Sequence, residues 1–172
     1  TRKKDCRRVR GNEPSPHQWI EPRAFGDLLT ADTKIVAEKC MDNQSVDYDR
    51  VALVVLDYFT RYLDAYPAKS KHSDEVYDAL KQYMGFKTIP KAVFSDNAGE
   101  ITSAVKSLGS CETCCTPHVP STNGAAENAV RKVTEGTSCA LVQSGFSHQW
   151  WNAAIRCYTF LRNVSDIQYH GS

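Results

Sequence analysis

From Phe25 through Val36 the pattern of apolar and polar positions is β-like, which predicts a strand. After a polar stretch over 41–50 comes Val-Ala-Leu-Val-Val-Leu at 51–56, an unbroken apolar run suited to a strand covered on both faces. Residues 62–66 return after a short turn at 59–61, so these segments predict a hairpin or meander. The pattern then changes period. Ser73 is a candidate cap, Asp74 and Glu75 suit a helix N-terminus, and Val76, Leu80, Tyr83 and Met84 share one face before Gly85. Behind Pro90, residues 91–95 predict a short strand, 102–108 a brief helix and 110–116 a weak strand, followed by a loop around Pro117 and Pro120.

Two longer helices close the chain. The first, over about 123–142, places Ala126, Val130, Val133, Ala140 and Leu141 toward the core, with Gly136 as a point of local bending. In the second, Ser147 caps a helix whose packed face is Trp151, Ala154, Ile155, Tyr158 and Leu161. Strands followed by alternating helices and strands predict an α/β layered domain.

Composition agrees with one self-sufficient core: 172 residues, 41% hydrophobic and 24% charged. No apolar run approaches the roughly 20 residues of a membrane span, which excludes a transmembrane reading. Net charge is +1, yet Arg2, Lys3, Lys4, Arg7, Arg8 and Arg10 crowd the first ten residues against Asp5 alone, leaving the rest net acidic. Residues 1–22, basic and then punctuated by Pro14, Pro16 and Pro22, therefore form an extended arm or linker, and 23–172 form the domain. The arm suits phosphate contact or simple solvation. The chain opens on Thr1, as a segment of a longer polypeptide does, and shows no leader pattern. Seven scattered cysteines suit reduced thiols inside a cell.

Three acids stand where acids are unexpected. Asp32 interrupts the first strand, Asp96 ends the apolar stretch 92–94, and Glu127 opens a helix just after Asn123 and Gly124. Each alone is explicable as a turn or cap residue. Acids emerging at strand ends of an open α/β sheet are also placed to hold a ligand.

Together these segments resemble the catalytic cores of retroviral and LTR-retrotransposon integrases, with a copia-like flavour. Leu-Thr-Ala-Asp-Thr at 29–33 is similar to the first motif, and Val-Leu-Asp-Tyr-Phe-Thr-Arg-Tyr at 55–62 to the strand and turn that follow it. Val-Phe-Ser-Asp-Asn-Ala-Gly-Glu at 93–100 resembles the second-Asp motif, and Pro-His-Val-Pro-Ser-Thr-Asn-Gly-Ala-Ala-Glu at 117–127 the segment presenting the glutamate. Trp150 or Trp151, with Ala154, Tyr158 and Asn163, is similar to the terminal helix of such cores.

The resemblance implies a ribonuclease-H-like fold, a mixed five-stranded sheet flanked by helices, with the first and fourth strands adjacent. It implies a polynucleotidyl transferase with endonuclease activity that trims DNA 3′ ends and joins them to target DNA. Asp32, Asp96 and Glu127 would be its catalytic and metal-binding residues. Converging carboxylates require cations, and hard oxygen ligands suit two Mg²⁺ or Mn²⁺ ions, about 3.5 to 4 Å apart, with Asp32 bridging. Asn97, His118, Asn128, Arg131 and Lys132 are the candidate DNA contacts. For Arg131 the alternative is a helical Glu–Arg pair, for His118 plain hydrogen-bond duty, and for Asp57 a turn-capping role. The partners implied are element-end and target DNA and further copies of the chain, as a homodimer or higher oligomer, acting in the nucleus.

Two departures bear on activity. Thirty residues separate Asp96 from Glu127, fewer by more than a helical turn than such cores commonly place there, and Ala98 stands where glycine is common. An inactive, domesticated DNA- or protein-binding module and a nuclease of the same fold therefore remain the alternatives. Cys111, Cys114, Cys115 and His118 invite a zinc site, but they span eight residues with no distant ligand pair, which favours free thiols.

Overall fold

A computed structural model describes residues 21–36, 44–85, 87–95, 98–114 and 124–165. The elements are β1 (Leu28–Ile35), β2 (Val51–Asp57), β3 (Leu63–Ala68), α1 (Ser73–Met84), β4 (Ala92–Ser95), α2 (Gly99–Leu108), β5 (Cys111–Cys114), α3 (Gly124–Ser144) and α4 (Trp151–Ser165). The five strands form one mixed sheet in the order β3-β2-β1-β4-β5. Both β3–β2 and β2–β1 are antiparallel, whereas β1–β4 and β4–β5 are parallel. The expected adjacency of the first and fourth strands is thus present, and the basic arm falls outside the described residues.

Register sorts β1 between two cores. Leu29, Ala31, Leu53 and Val55 face α1 and α2, where Val76, Leu80, Ile101 and Val105 complete a buried cluster. On the other face Ala52, Val54, Leu56, Leu63 and Ala65 meet Ala129 and Val133 of α3 and Trp151 and Ile155 of α4. Each fully buried aliphatic or aromatic side chain here contributes about 1.5 to 3 kcal/mol. All seven residues of β2 are buried, as its continuous apolar run requires.

Asp57, at the end of β2, is wholly buried. Its Oδ1 accepts from the Gly26 backbone N–H (2.9 Å), and its Oδ2 accepts from the Thr60 backbone N–H (2.6 Å) and Thr60 Oγ1 (2.7 Å). This carboxylate caps the turn in which Arg61 takes a left-handed conformation (φ 62°), so the capping role expected of it is present. Beside it, Tyr83 donates its hydroxyl to the Tyr62 carbonyl (2.8 Å), and burial, then the Asp57 charge, pushes its phenol above the ordinary range. At the start of β1, Lys91 Nζ meets Asp27 Oδ1 at 2.6 Å. That contact and the Arg23 backbone N–H hold the Asp27 carboxyl below its ordinary range.

Several local expectations change. His72, not Ser73, is the N-cap of α1, with no side-chain cap bond. Ser147 is the N-cap of a short 3-10 turn, His148–Trp150, that precedes α4, with no side-chain cap bond. Helix α2 begins three residues earlier than expected, and Ala98 before it has φ −63°, so no left-handed turn strains there. The buried stripe of α3 is Ala126, Ala129, Val133 and Thr137, with Val130, Ala140 and Leu141 only partly buried. Leu161 is 53% exposed, and the buried face of α4 is Trp151, Asn152, Ile155 and Thr159. Gly136 is a contact point: a Cβ there would overlap the ring of Tyr158 on α4. Asn163 clamps the sheet edge, donating from Nδ2 to the Leu63 carbonyl (2.8 Å) and accepting from the Leu63 N–H (3.1 Å).

Candidate active site

Cross-strand partners share a face, so Asp32, opposite Val54, projects to the side covered by α3. Lys34, opposite Ala52 and two residues along β1, projects the same way. Asp32 is half-buried, and the backbone N–H of Thr33 donates to its Oδ1 at 2.7 Å, which orients the carboxylate. Glu127 is exposed in the first turn of α3.

Strand and helix bring these acids to one open hollow, lined by Asp32, Lys34, Glu127, Val130, Arg131, Thr134 and Glu135. Asp32 and Glu127 thus line the same hollow, while the three-way convergence with Asp96 that the resemblance implies involves a residue outside those described. Asp96 lies outside the described residues, as do Asn97 and His118. Among the described residues no three His, Cys, Asp or Glu side chains are grouped so as to hold one metal ion. The zinc alternative at Cys111, Cys114, Cys115 and His118 also falls on side chains outside them. Cys139 and Cys157, the described free thiols, are exposed on α3 and α4.

The candidate DNA contacts on α3 divide. Arg131 Nη1 reaches both carboxylate oxygens of Glu135 (3.0 and 3.2 Å), and its Nη2 donates to Asn128 Oδ1 (2.8 Å). Arg131 thus takes the helical Glu–Arg pairing that was its alternative, with Glu135 four residues on, and Asn128 is drawn into the same chain of bonds. At 61% exposure on each side chain this pair is weak. Lys132 is exposed on the same helix.

Lys34, Thr134 and Glu135 were not singled out in the sequence. Alternation carries Lys34 to the face of Asp32, and seven- and eight-residue steps carry Thr134 and Glu135 to the stripe of Glu127.

The chain is similar in sequence to two Arabidopsis thaliana proteins. The retrovirus-related Pol polyprotein from transposon RE2 is 27% identical over 126 residues, covering 69% of this chain and 9% of the polyprotein. The corresponding polyprotein from transposon RE1 is 28% identical over 125 residues, covering 69% and 8%. The match thus spans less than a tenth of the length of either relative. No protein-family model matches the chain. Among solved structures, the catalytic core domain of BIV integrase superposes with a TM-score of 0.54 at 16% identity, covering 86% of this chain and 87% of that one. The HTLV-2 integrase catalytic core domain in complex with magnesium, in a trimeric form, gives 0.62 at 14% identity, covering 84% and 90%. The fold is that of integrase catalytic cores, ribonuclease-H-like, and the sequence relatives are retrovirus-related Pol polyproteins of transposons, as the motifs implied.

Proposed function

We propose that this chain is the catalytic core of an LTR-retrotransposon integrase, a metal-dependent polynucleotidyl transferase that trims DNA 3′ ends and joins them to target DNA. The observation that carries the reading is that Asp32 and Glu127, from a central strand and a distant helix, line one open hollow in an integrase-core fold. Asp96 is assigned as the third acid. Phe94, two residues before it in the chain, pairs with Thr30 on the face that carries Asp32.

The donor set fits hard divalent ions, since carboxylate oxygens suit Mg²⁺ or Mn²⁺ and no thiol or imidazole lines the hollow among the described residues. Asp32, Asp96 and Glu127 would hold two such ions. When bound, the ions supply Lewis acidity at the scissile phosphate and ease deprotonation of the attacking hydroxyl or water. The chain's own contribution is placement. The Thr33 N–H fixes the Asp32 carboxylate on a strand buried between two layers, and the packing of α3 against β1 and β2 fixes the end bearing Glu127. Lys132, with Asn97 and His118, is assigned to DNA contact, and Asn128 and Arg131 to the α3 wall of the DNA path. The working form is a homodimer or higher oligomer acting on DNA in the nucleus. The exposed Phe160, Leu161 and Val164 of α4 support a self-associating face. Among the described residues no helix is long and apolar enough to cross a membrane.

Thermal unfolding under Mn²⁺ titration tests the reading. An ion at a hundred times its Kd stabilises by about 2.7 kcal/mol, and Asp32→Asn or Glu127→Gln should each remove most of that gain. A flat titration for the unaltered chain overturns the catalytic reading and leaves a binding module. A labelled DNA-end assay, with Glu127→Gln as control, separates joining from cutting alone.

A further inference from the structure

The hollow shared by Asp32 and Glu127 holds two cationic side chains, Lys34 and Arg131, and their situations differ. The guanidinium of Arg131 is committed along α3 to Glu135 and Asn128. The Lys34 ammonium has no hydrogen bond or ion pair among the described residues, although its side chain is half-buried and shares the hollow with three acids. Its backbone is pinned in β1 opposite Ala52, which is fully buried, so the aliphatic stem rises from a rigid apolar floor beside Val130. A cation fixed on a strand, two residues from an acid assigned to the reaction and without a partner of its own, is preorganised for an anion from outside the chain.

We infer that Lys34 is a nucleic-acid phosphate contact on the β1 wall of the hollow, holding a backbone phosphate of the strand whose bond is broken or made at Asp32 and Glu127. The inference rests on the integrase reading and deepens it. The strand bearing Asp32 then registers the DNA as well as the reaction centre. The alternative for Lys34 is structural, a stem covering Ala52 and Val130 with its head in water.

Charge and stem are separable. Lys34→Met keeps an unbranched apolar side chain and removes the charge, Lys34→Arg keeps the charge, and Lys69→Met removes a lysine from a different hollow, between β3 and α1. Binding of a fluorescently labelled duplex DNA by the whole 172-residue chain would be followed by anisotropy over a range of NaCl, in calcium. Each phosphate contact contributes about 0.9 to the slope of log K against log salt. Lys34→Met should lower the slope by about that amount with an unchanged unfolding midpoint, while Lys34→Arg and Lys69→Met should match the unaltered chain. If the unaltered chain binds and Lys34→Met has the same slope, or if Lys69→Met loses as much, the Lys34 assignment is overturned and the integrase reading stands. A lowered midpoint for Lys34→Met with an unchanged slope selects the structural role. An unaltered chain that binds no DNA overturns both readings.

Discussion

Replacing Gly136 by alanine sets two effects of opposite sign against each other. In an exposed helix interior, Gly→Ala stabilises by about 1 kcal/mol, because alanine loses less backbone entropy on folding. At Gly136 the added Cβ would overlap the aromatic ring of Tyr158, a partly buried residue packed against the cluster of Ala129, Val133, Trp151 and Ile155. The ring cannot step aside without leaving its contacts, and overpacking of this kind costs about 1 to 3 kcal/mol. The expected result is a net loss of about 1 kcal/mol, or a fall in Tm of about 2 to 4 °C for a chain of this size. In a Tyr158→Ala background the obstacle is gone, and Gly136→Ala should stabilise by about 1 kcal/mol. Urea unfolding of the four proteins of the cycle measures the reversal, with unchanged m-values as the check on two-state behaviour. Stabilisation by Gly136→Ala in both backgrounds would refute the close approach of α3 to α4. Gly136 lies nine residues, about 14 Å along the helix axis, from Glu127, so a displaced α3 should also weaken the Mn²⁺ response.

Other perturbations give equally direct outcomes. Asp57→Ala removes three hydrogen bonds from a buried carboxylate and orphans the Gly26 N–H, and should cost about 3 kcal/mol by chemical denaturation; Asp57→Asn, with one acceptor oxygen for three donor groups, should cost less but more than 1 kcal/mol. The Asp27 carboxyl is held below its ordinary value of 3.8, so its contribution is present above that pH and is lost as pH falls through the lower folded value; Tm between pH 6 and pH 3 should therefore decline less steeply for Asp27→Asn than for the unaltered chain. Tyr83→Phe deletes the bond to the Tyr62 carbonyl and should cost about 1 kcal/mol near neutral pH. Because burial raises that phenol, the bond's contribution holds below pH 10 and fades above it, so the two proteins should converge in Tm as pH rises beyond 10.

What the sequence made legible was whatever depends on neighbours in the chain. The strand at 51–56, the apolar face of α1 and the two closing helices follow from periodicity, and all are present. Asp32 and Glu127 stand out in the sequence because strand and helix motifs state where a side chain leaves its element, and the metal titration decides their role. What escaped depends on contacts between distant segments. Alanine and threonine displaced larger residues from the buried stripe of α3 because that face lies close against the sheet, which hydropathy alone does not encode. The work of Gly136 required knowing that Tyr158 sits opposite, and the engagement of Arg131 required a choice between two glutamates, each four residues away on the same helix.

The order of strands carries a kinetic consequence. β1, β2 and β3 are consecutive and antiparallel, so pairing them closes connections of fifteen and five residues, whereas β1 meets its parallel partner β4 only after a connection that includes two strands and a helix. Helix α3, which seals the other side of β1, comes later still. The meander that fixes Asp32 can therefore assemble early from local contacts, while Glu127 arrives only with the long-range closure of the domain. An ion that needs both carboxylates is then a ligand of the finished fold alone, and its affinity reports how much of the chain has completed that closure.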